Sequence, residues 1–435
     1  MDQHRCILRC PSVVEPVEAV CARILARIEA KLYSLRYIVE KMKPRVPRGL
    51  LNALCLGVLR NYRLLIRALR YCGYRGDVRG NARGWLPIVI AYEAMFRHDS
   101  VPAEKLRSLG VLGGETIDCL RGLEPKHVVS GLHGLERLAV LYSMPLWVVE
   151  ELAKAEPPGG IEELLKSFQE PTPIWIRFNK RRLSREQAIK MLEAIGISVK
   201  PDPVLDDSLE VIRVEPGAIE RLDNRLFYVQ DRAAMLASHL LGKFEGAVYD
   251  FFSAPGNKLA HTYWRSGPTY AVALEVSRRR LHDEQRLLQR QAVLLVDAAE
   301  ADATRPPLRP GSGRAIIVDP DCTSMGRLGH SPETRLFLER AGRRIVERLA
   351  ELQEAGLRAA LRTAARGAKV VYMTCTLTLR ENEEVVRKVV EDGLAELVEA
   401  KPLIGVWSPF MRKTQRVYPH MSKCTGGFAA LLIRV

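Results

Sequence analysis

Apolar residues follow three different rhythms along the chain. Over residues 15–155 they recur at helical spacing. PVEAVCARILARIEAKLYSLRYIVEKM opens this pattern and LLNALCLGVLRNYRLLIRALRYCGY carries it on to Gly73. WLPIVIAYEAMFRH is a third apolar segment, whose Pro87 fits best near the first turn of a helix. LERLAVLYSMPLWVVEELAK is a fourth, with Pro145 opening its second half. No strand alternation interrupts them, so residues 1–160 are predicted to form an all-helical domain.

The rhythm changes after the Pro/Gly/Glu stretch AEPPGGIEELL. TPIWIRFN alternates as a strand does. SREQAIKMLEAIGI reads as a helix capped by Ser184 with Gln187 three residues on, and SLEVIRVE as another strand. This predicts a small α+β domain over residues 165–228. From 229 to 435 apolar runs alternate with helices: AVYDFF, TYAVALEV, AVLLVDA, RAIIVDPD, AKVVYMTC and FAALLIRV. Such alternation predicts an α/β domain with a mostly parallel, doubly wound, Rossmann-like sheet, whose ligands sit beyond the carboxyl ends of the strands.

Composition narrows the class of protein. Hydrophobic residues make up 47% and charged residues 27%, enough for folded cores in a chain of 435 residues. The net charge of +15 suits a polyanion, because neutralising phosphates releases counterions. A generally basic protein without such a partner has the same balance. MDQHRCILRC lacks the apolar segment of a secretory signal, and no run of about 18 apolar residues announces a membrane span. Nine cysteines are scattered without paired C-x-x-C spacing. Free thiols, a cytoplasmic location, no metal, no membrane contact and a monomer are therefore expected.

The candidate chemistry falls at strand ends. The first strand of the α/β domain ends in Asp250 and runs into a loop of small residues, Ser253, Ala254 and Gly256, that lets a ligand approach the backbone. The helix after it favours negative charge at its start, with Lys258 nearby. The second strand ends in Glu275, which suits ribose hydroxyls, and the third is read as ending in Asp297, which suits an adenine amino group. Asp319 and Cys322 follow the fourth strand and Cys375 the fifth. Two thiols and a carboxylate in one cleft suit covalent catalysis at carbon 5 of cytosine: a thiolate adds at carbon 6 and makes carbon 5 nucleophilic. A carboxyl such as Asp319 would assist at nitrogen 3, and a second thiol would assist loss of the carbon 5 proton. An ordinary thiol has a pKa of about 8.5, so Cys375 needs help to ionise, and nothing in the sequence supplies it.

These segments resemble the Sun/RsmB family of RNA cytosine-C5 methyltransferases. FYVQDRAAM, DFFSAPGNK, EVSRRRL, DPDCTSMG, YMTCTLTLRENEEVV and GGFAALLIR resemble its motifs in order over residues 170–435. The resemblance implies S-adenosyl-L-methionine as cofactor, Cys375 as nucleophile, Cys322 as product-release thiol and Asp319 facing both base and cofactor. It implies a cofactor pocket lined by Phe252, Ser253, Ala254, Pro255, Gly256, Asn257, Lys258, Glu275, Arg280, Asp297 and Asp319. The helical region resembles a NusB-like RNA-binding domain, and LYSMPLWVVEEL the segment that joins it to the insert. Ribosomal RNA is the expected substrate, with tRNA the alternative. Asp321 stands where the family has Pro, beside Cys322, and is expected to raise that thiol's pKa. Asn257 replaces a Gly, and Phe252 and Ser253 replace Cys and Ala. Three rivals stand beside this reading. An exocyclic amino methyltransferase leaves Cys375 without a task, a decayed RNA-binding or assembly factor would have lost its cofactor, and a DNA target has the same charge requirement.

Overall fold

Why the strands of the large sheet read as apolar runs is visible in their packing. In a computed structural model, which describes residues 15–268 and 270–435, they are covered on both faces. Val248, Ala273, Ile317, Val371 and Ala429 face one core, and Tyr249, Leu274, Ile316, Tyr372 and Phe428 face the other. The N-terminal stretch MDQHRCILRC lies outside the described residues.

The chain divides into two compact units. The first reaches to Leu146 and includes Arg335–Glu339. It is helical, around a core that holds Val58, Tyr62, Trp85 and Ile90. Pro87 lies inside the helix Ala82–Phe96 rather than in its first turn, because Asn81 caps the helix earlier by accepting from Gly84 N (3.0 Å). Cys72 and Cys119 form a disulfide, which corrects the expectation that the thiols are free; residues 47 apart in sequence meet when their helices pack. Among the described residues no helix is long and apolar enough to cross a membrane.

The second unit comprises Trp147–Thr334 and Arg340–Val435 and holds two sheets. The smaller is antiparallel, built from β1 (Trp175–Phe178), β2 (Ile197–Pro201), β3 (Ser208–Val214) and β4 (Phe227–Val229) in the order β2-β3-β1-β4. Its helix Arg185–Ala194 starts with the Ser184/Gln187 capping box. The larger sheet contains β5 (Ala247–Phe251), β6 (Tyr270–Glu275), β7 (Val296–Glu300), β8 (Gly313–Val318) and β9 (Ala364–Thr374), parallel in the order β7-β6-β5-β8-β9. It continues through β10 (Ala395–Val398), β11 (Val406–Trp407), β12 (Gln415–Val417) and β13 (Gly427–Arg434), with β13 antiparallel to β9. Chain order reverses direction across β5 and β8, so their carboxyl ends border the crevice where such folds bind ligands.

Candidate active site

The cofactor side is a tight turn from β5 into the helix Asn257–Ser266. Phe252 and Gly256 take φ of 63° and 91°, so the backbone folds back sharply between them. Ser253 donates through its N–H to Leu274 O (2.9 Å) and through its hydroxyl to the Glu284 carboxylate (2.8 Å). The Phe252 side chain does not join this pocket. Its ring lies against Gly356, among the apolar residues under the sheet. A large ring in place of a small residue gains more by leaving the polar loop for a core than by staying.

Asp250 is buried, and both its carboxylate oxygens lack a hydrogen-bond partner among the described residues, as do Asn257 Oδ1 and Glu284 Oε1. Burial, helped by the nearby Glu284, raises the Asp250 pKa well above the usual carboxylate range, and burial lifts Glu284 to about 7. Unpaired buried carboxyls are costly, and a ligand carrying an ammonium and a sulfonium would relieve them. S-adenosylmethionine therefore fits the polar atoms of this loop. Sequence reasoning named Asp250 only as a strand end and did not select Glu284; for Asp250 the available signal was an acid inside the apolar run AVYDFF, whereas Glu284 lies in a polar helix that offered none.

Glu275 ends β6, buried, accepting from Ser277 N (2.8 Å) and paired with Arg280 (3.0 Å). Arg280 also reaches Ala254 O (3.4 Å) and lies 3.6 Å from the Asp321 carboxylate. Asp321 thus turns toward Arg280. The raised pKa of the Cys322 thiol comes from its hydrogen bond to Cys375 first and burial next, with Glu381 adding to it, so the expectation that Asp321 raises it is corrected. Asp297 is the larger correction. It is the second residue of β7 and opposes Val272, so it lies at the amino end of the strand, exposed and bonded to the Tyr270 hydroxyl. The residue of β7 opposite Glu275 is Glu300. Asp302 follows just beyond it, its carboxylate held by Thr304 N (2.9 Å) and Thr304 Oγ1 (2.8 Å). The misplacement has a physical origin: β7 is an edge strand, and Leu294 and Leu295, which looked like its interior, are exposed before it begins.

The chemical side brings together the three residues chosen for it. Asp319 immediately follows β8, and its carboxylate pairs with Lys258. Burial works against the Lys258 ammonium, yet Asp319 holds its pKa above the ordinary lysine value. Cys322 Sγ and Cys375 Sγ are 3.1 Å apart, and Ser324 Oγ is 3.4 Å from Cys375 Sγ. The Cys322 hydrogen bond lowers the Cys375 pKa to about 7 against the opposing effect of burial, with the Arg327 charge and Ser324 helping and Asp319 opposing. These neighbours come from outside its own strand, so no sign of them was legible in the sequence.

A buried carboxylate fastens the two thiol loops to each other. Glu381 accepts from Thr323 N (2.8 Å), Thr323 Oγ1 (2.6 Å), Thr378 Oγ1 (2.8 Å) and Gln353 Nε2 (3.1 Å). Thr374 donates to Asn382 Oδ1 (2.5 Å), and Glu383 forms a buried ion pair with Arg416. Gly326 donates to Cys375 O (3.0 Å), and a Cβ there would lie 2.1 Å from Gly426 O, so only glycine permits this approach. Behind the cofactor loop, Asp207 accepts from His239 (2.8 Å), His261 (3.0 Å) and Arg265 (2.7 Å), tying the helix Asn257–Ser266 to the smaller sheet's segment.

Comparison with known proteins finds similar sequences and a similar fold. Residues 238–433 match the family described as 16S rRNA methyltransferase RsmB/F, and residues 144–215 match the ferredoxin-like domain of RsmF/B-like methyltransferases. The chain is 27% identical over 295 residues to the ribosomal RNA small subunit methyltransferase B of Xanthomonas campestris pv. campestris, covering 67% of this chain and 66% of that one. It is 30% identical over 219 residues to the tRNA (cytosine(72)-C(5))-methyltransferase of Pyrococcus horikoshii, covering 50% of this chain and 54% of that one. The crystal structure of PH0851 shares the fold, with a TM-score of 0.76 at 21% identity over 97% of this chain and 99% of that one. Two modules of RsmB/F-type methyltransferases are thus matched, in the order in which the two sheets follow each other, and the chain is similar to that family.

Proposed function

We propose that this protein methylates carbon 5 of a cytosine in RNA, with Cys375 as nucleophile. The observation that carries the reading is the thiol pair at 3.1 Å, with one member's pKa near neutrality, beside Asp319. Asp250, Ser253 to Lys258, Glu275, Arg280 and Asp302 are the residues we assign to S-adenosylmethionine, with Asp302 in the role first given to Asp297. The cofactor supplies an electrophilic methyl group.

The chain's own residues do the rest. The Cys375 thiolate bonds to carbon 6, and carbon 5 becomes nucleophilic enough to accept the methyl group. Asp319, paired with Lys258, is a hydrogen-bond acceptor for the cytosine amino group, and the Lys258 ammonium is a donor as negative charge builds on the ring. Once the Cys375 charge is spent in the carbon–sulfur bond, the main reason for the raised Cys322 pKa is gone. Cys322 then loses its proton to solvent and takes the carbon 5 proton. The freed electron pair restores the ring double bond and expels Cys375 as thiolate. The target base must first leave its stack to reach this cleft.

Ribosomal RNA is the substrate we favour, because the alignment with the ribosomal RNA methyltransferase covers 67% of the chain against 50% for the tRNA enzyme. We read the helical unit as the NusB-like RNA-binding part and the protein as a cytoplasmic monomer. The test is transfer of radiolabelled methyl to unmethylated ribosomal RNA and tRNA transcripts, followed by bisulfite mapping. Full activity in Cys375→Ala, or methyl on a cytosine amino group, defeats the reading. Methyl on tRNA alone moves the substrate and keeps the chemistry.

A further inference from the structure

We propose that the loop Asn179–Ser184, with Arg185 at the start of its helix, anchors the RNA phosphate backbone outside the catalytic cleft. The inference rests on the reading that the substrate is RNA. The sequence NKRRLSR puts Lys180, Arg181, Arg182 and Arg185 within six residues. These four cations border a cavity of about 580 Å³ whose other lining includes Phe178, Asp206 and Glu186.

The loop is held in shape by its first residue. Asn179 O accepts from Arg182 N (2.9 Å) and Leu183 N (3.0 Å), and Asn179 Oδ1 accepts from Arg181 N (3.2 Å). Asp206 is already satisfied: it pairs with Lys180 and with Arg265 (2.7 Å), and its main-chain oxygen accepts from Arg185 (3.2 Å). Its charge is therefore spent on Lys180, which borders the cavity, and on Arg265. Arg181 and Arg182 are exposed, and their guanidinium groups form no ion pair or hydrogen bond among the described residues. Arg181 lies against Gly267, where an added Cβ would be 2.1 Å from Nη1. A guanidinium held there, on a preformed loop, loses little freedom when it binds.

The chemistry of the lining selects the partner. The one aromatic ring, Phe178, is buried, so no exposed aromatic face is offered to a base. Exposed forked cations fit phosphate oxygens bidentately, and phosphate contacts carry no sequence information. The helix Asn257–Ser266 begins at the cofactor loop and ends beside Arg181, about 15 Å away at 1.5 Å per residue. The anchor is thus a separate contact, several nucleotides along the backbone from the target base.

The experiment compares wild type with the Arg181→Ala/Arg182→Ala double variant, using a fluorescein-labelled RNA hairpin and fluorescence anisotropy across a salt series. We expect RNA affinity to fall on the order of ten-fold, and the slope of log K against log salt to shrink by about 1.4, the loss of two phosphate contacts. In methyl transfer the defect falls on KM for RNA rather than on kcat. Inorganic phosphate at matched ionic strength should compete no better than chloride; strong competition would mean a discrete phosphate site and overturn the backbone anchor. Unchanged affinity and slope in a folded double variant, repeated with Arg181→Glu/Arg182→Glu, would also overturn it. Wild type that binds RNA but transfers no methyl would fail the functional reading alone, since the affinity comparison stands without chemistry.

Discussion

Two cysteine pairs in this molecule have the same composition and opposite chemistry. In the helical unit, Cys21 Sγ and Cys55 Sγ lie 2.6 Å apart, both fully buried among apolar side chains. Burial pushes the Cys21 thiol well above its usual value, and Cys55, Glu93 and Glu18 push the same way. In the catalytic cleft, Cys322 and Cys375 lie 3.1 Å apart, and Cys375 falls to about 7 because Cys322, Arg327 and Ser324 favour its charge. Proximity of two thiols therefore does not make a nucleophile. What separates Cys375 from Cys21 is the balance around the sulfur: burial dominates at Cys21, whereas at Cys375 the Cys322 hydrogen bond, helped by Arg327 and Ser324, outweighs burial and Asp319.

The comparison can be broken most directly at the nucleophile. Cys375→Ala is expected to cut methyl transfer by at least about 10³-fold and to leave no covalent RNA adduct on a denaturing gel. Cys322→Ala is expected to keep adduct formation and lose turnover, so that a slow-migrating RNA–protein band accumulates. Glu381→Ala removes the acceptor of the two Thr323 hydrogen bonds that join the two thiol loops, and of those from Thr378 and Gln353, and is expected to lower turnover by about 10- to 100-fold, while Cys21→Ala leaves turnover unchanged.

A pH series sharpens the contrast. Cys375 reacts as its thiolate, so its alkylation by iodoacetamide, followed by peptide mass spectrometry, should fall about ten-fold per unit as pH drops below about 7 and level off above it. In Cys322→Ala the midpoint should rise, because the hydrogen bond that most favours the thiolate is gone. Cys21 and Cys55 should stay unlabelled in the folded protein across that range. The smallest effect expected is on stability: Cys21→Ala leaves a small cavity and should cost about 1 kcal/mol in a denaturant melt.

The positions of Glu275, Asp319, Cys322 and Cys375 at strand ends were legible because a strand buried on both faces writes itself as an apolar run, and the first polar residue after the run marks its end. The same rule failed at Asp297. An edge strand is buried on one side only in part, so Leu294 and Leu295 carried the rhythm before the strand had started. Phe252 failed for a different reason: its backbone belongs to the cofactor loop while its ring belongs to the core.

By itself the sequence determined the alternation of elements, the two thiols and the carboxylate that follow particular strands, and the excess of positive charge. These are local properties, carried by neighbours in the chain. Only the tertiary structure decided that β8 and β9 are adjacent, that Glu381 joins their loops, that Asp321 turns to Arg280, and that Cys72 meets Cys119. It also set surroundings that favour the thiolate at Cys375 over Cys322, because a pKa is set by every charge and dipole within a few ångströms, and those come from segments far apart in the chain.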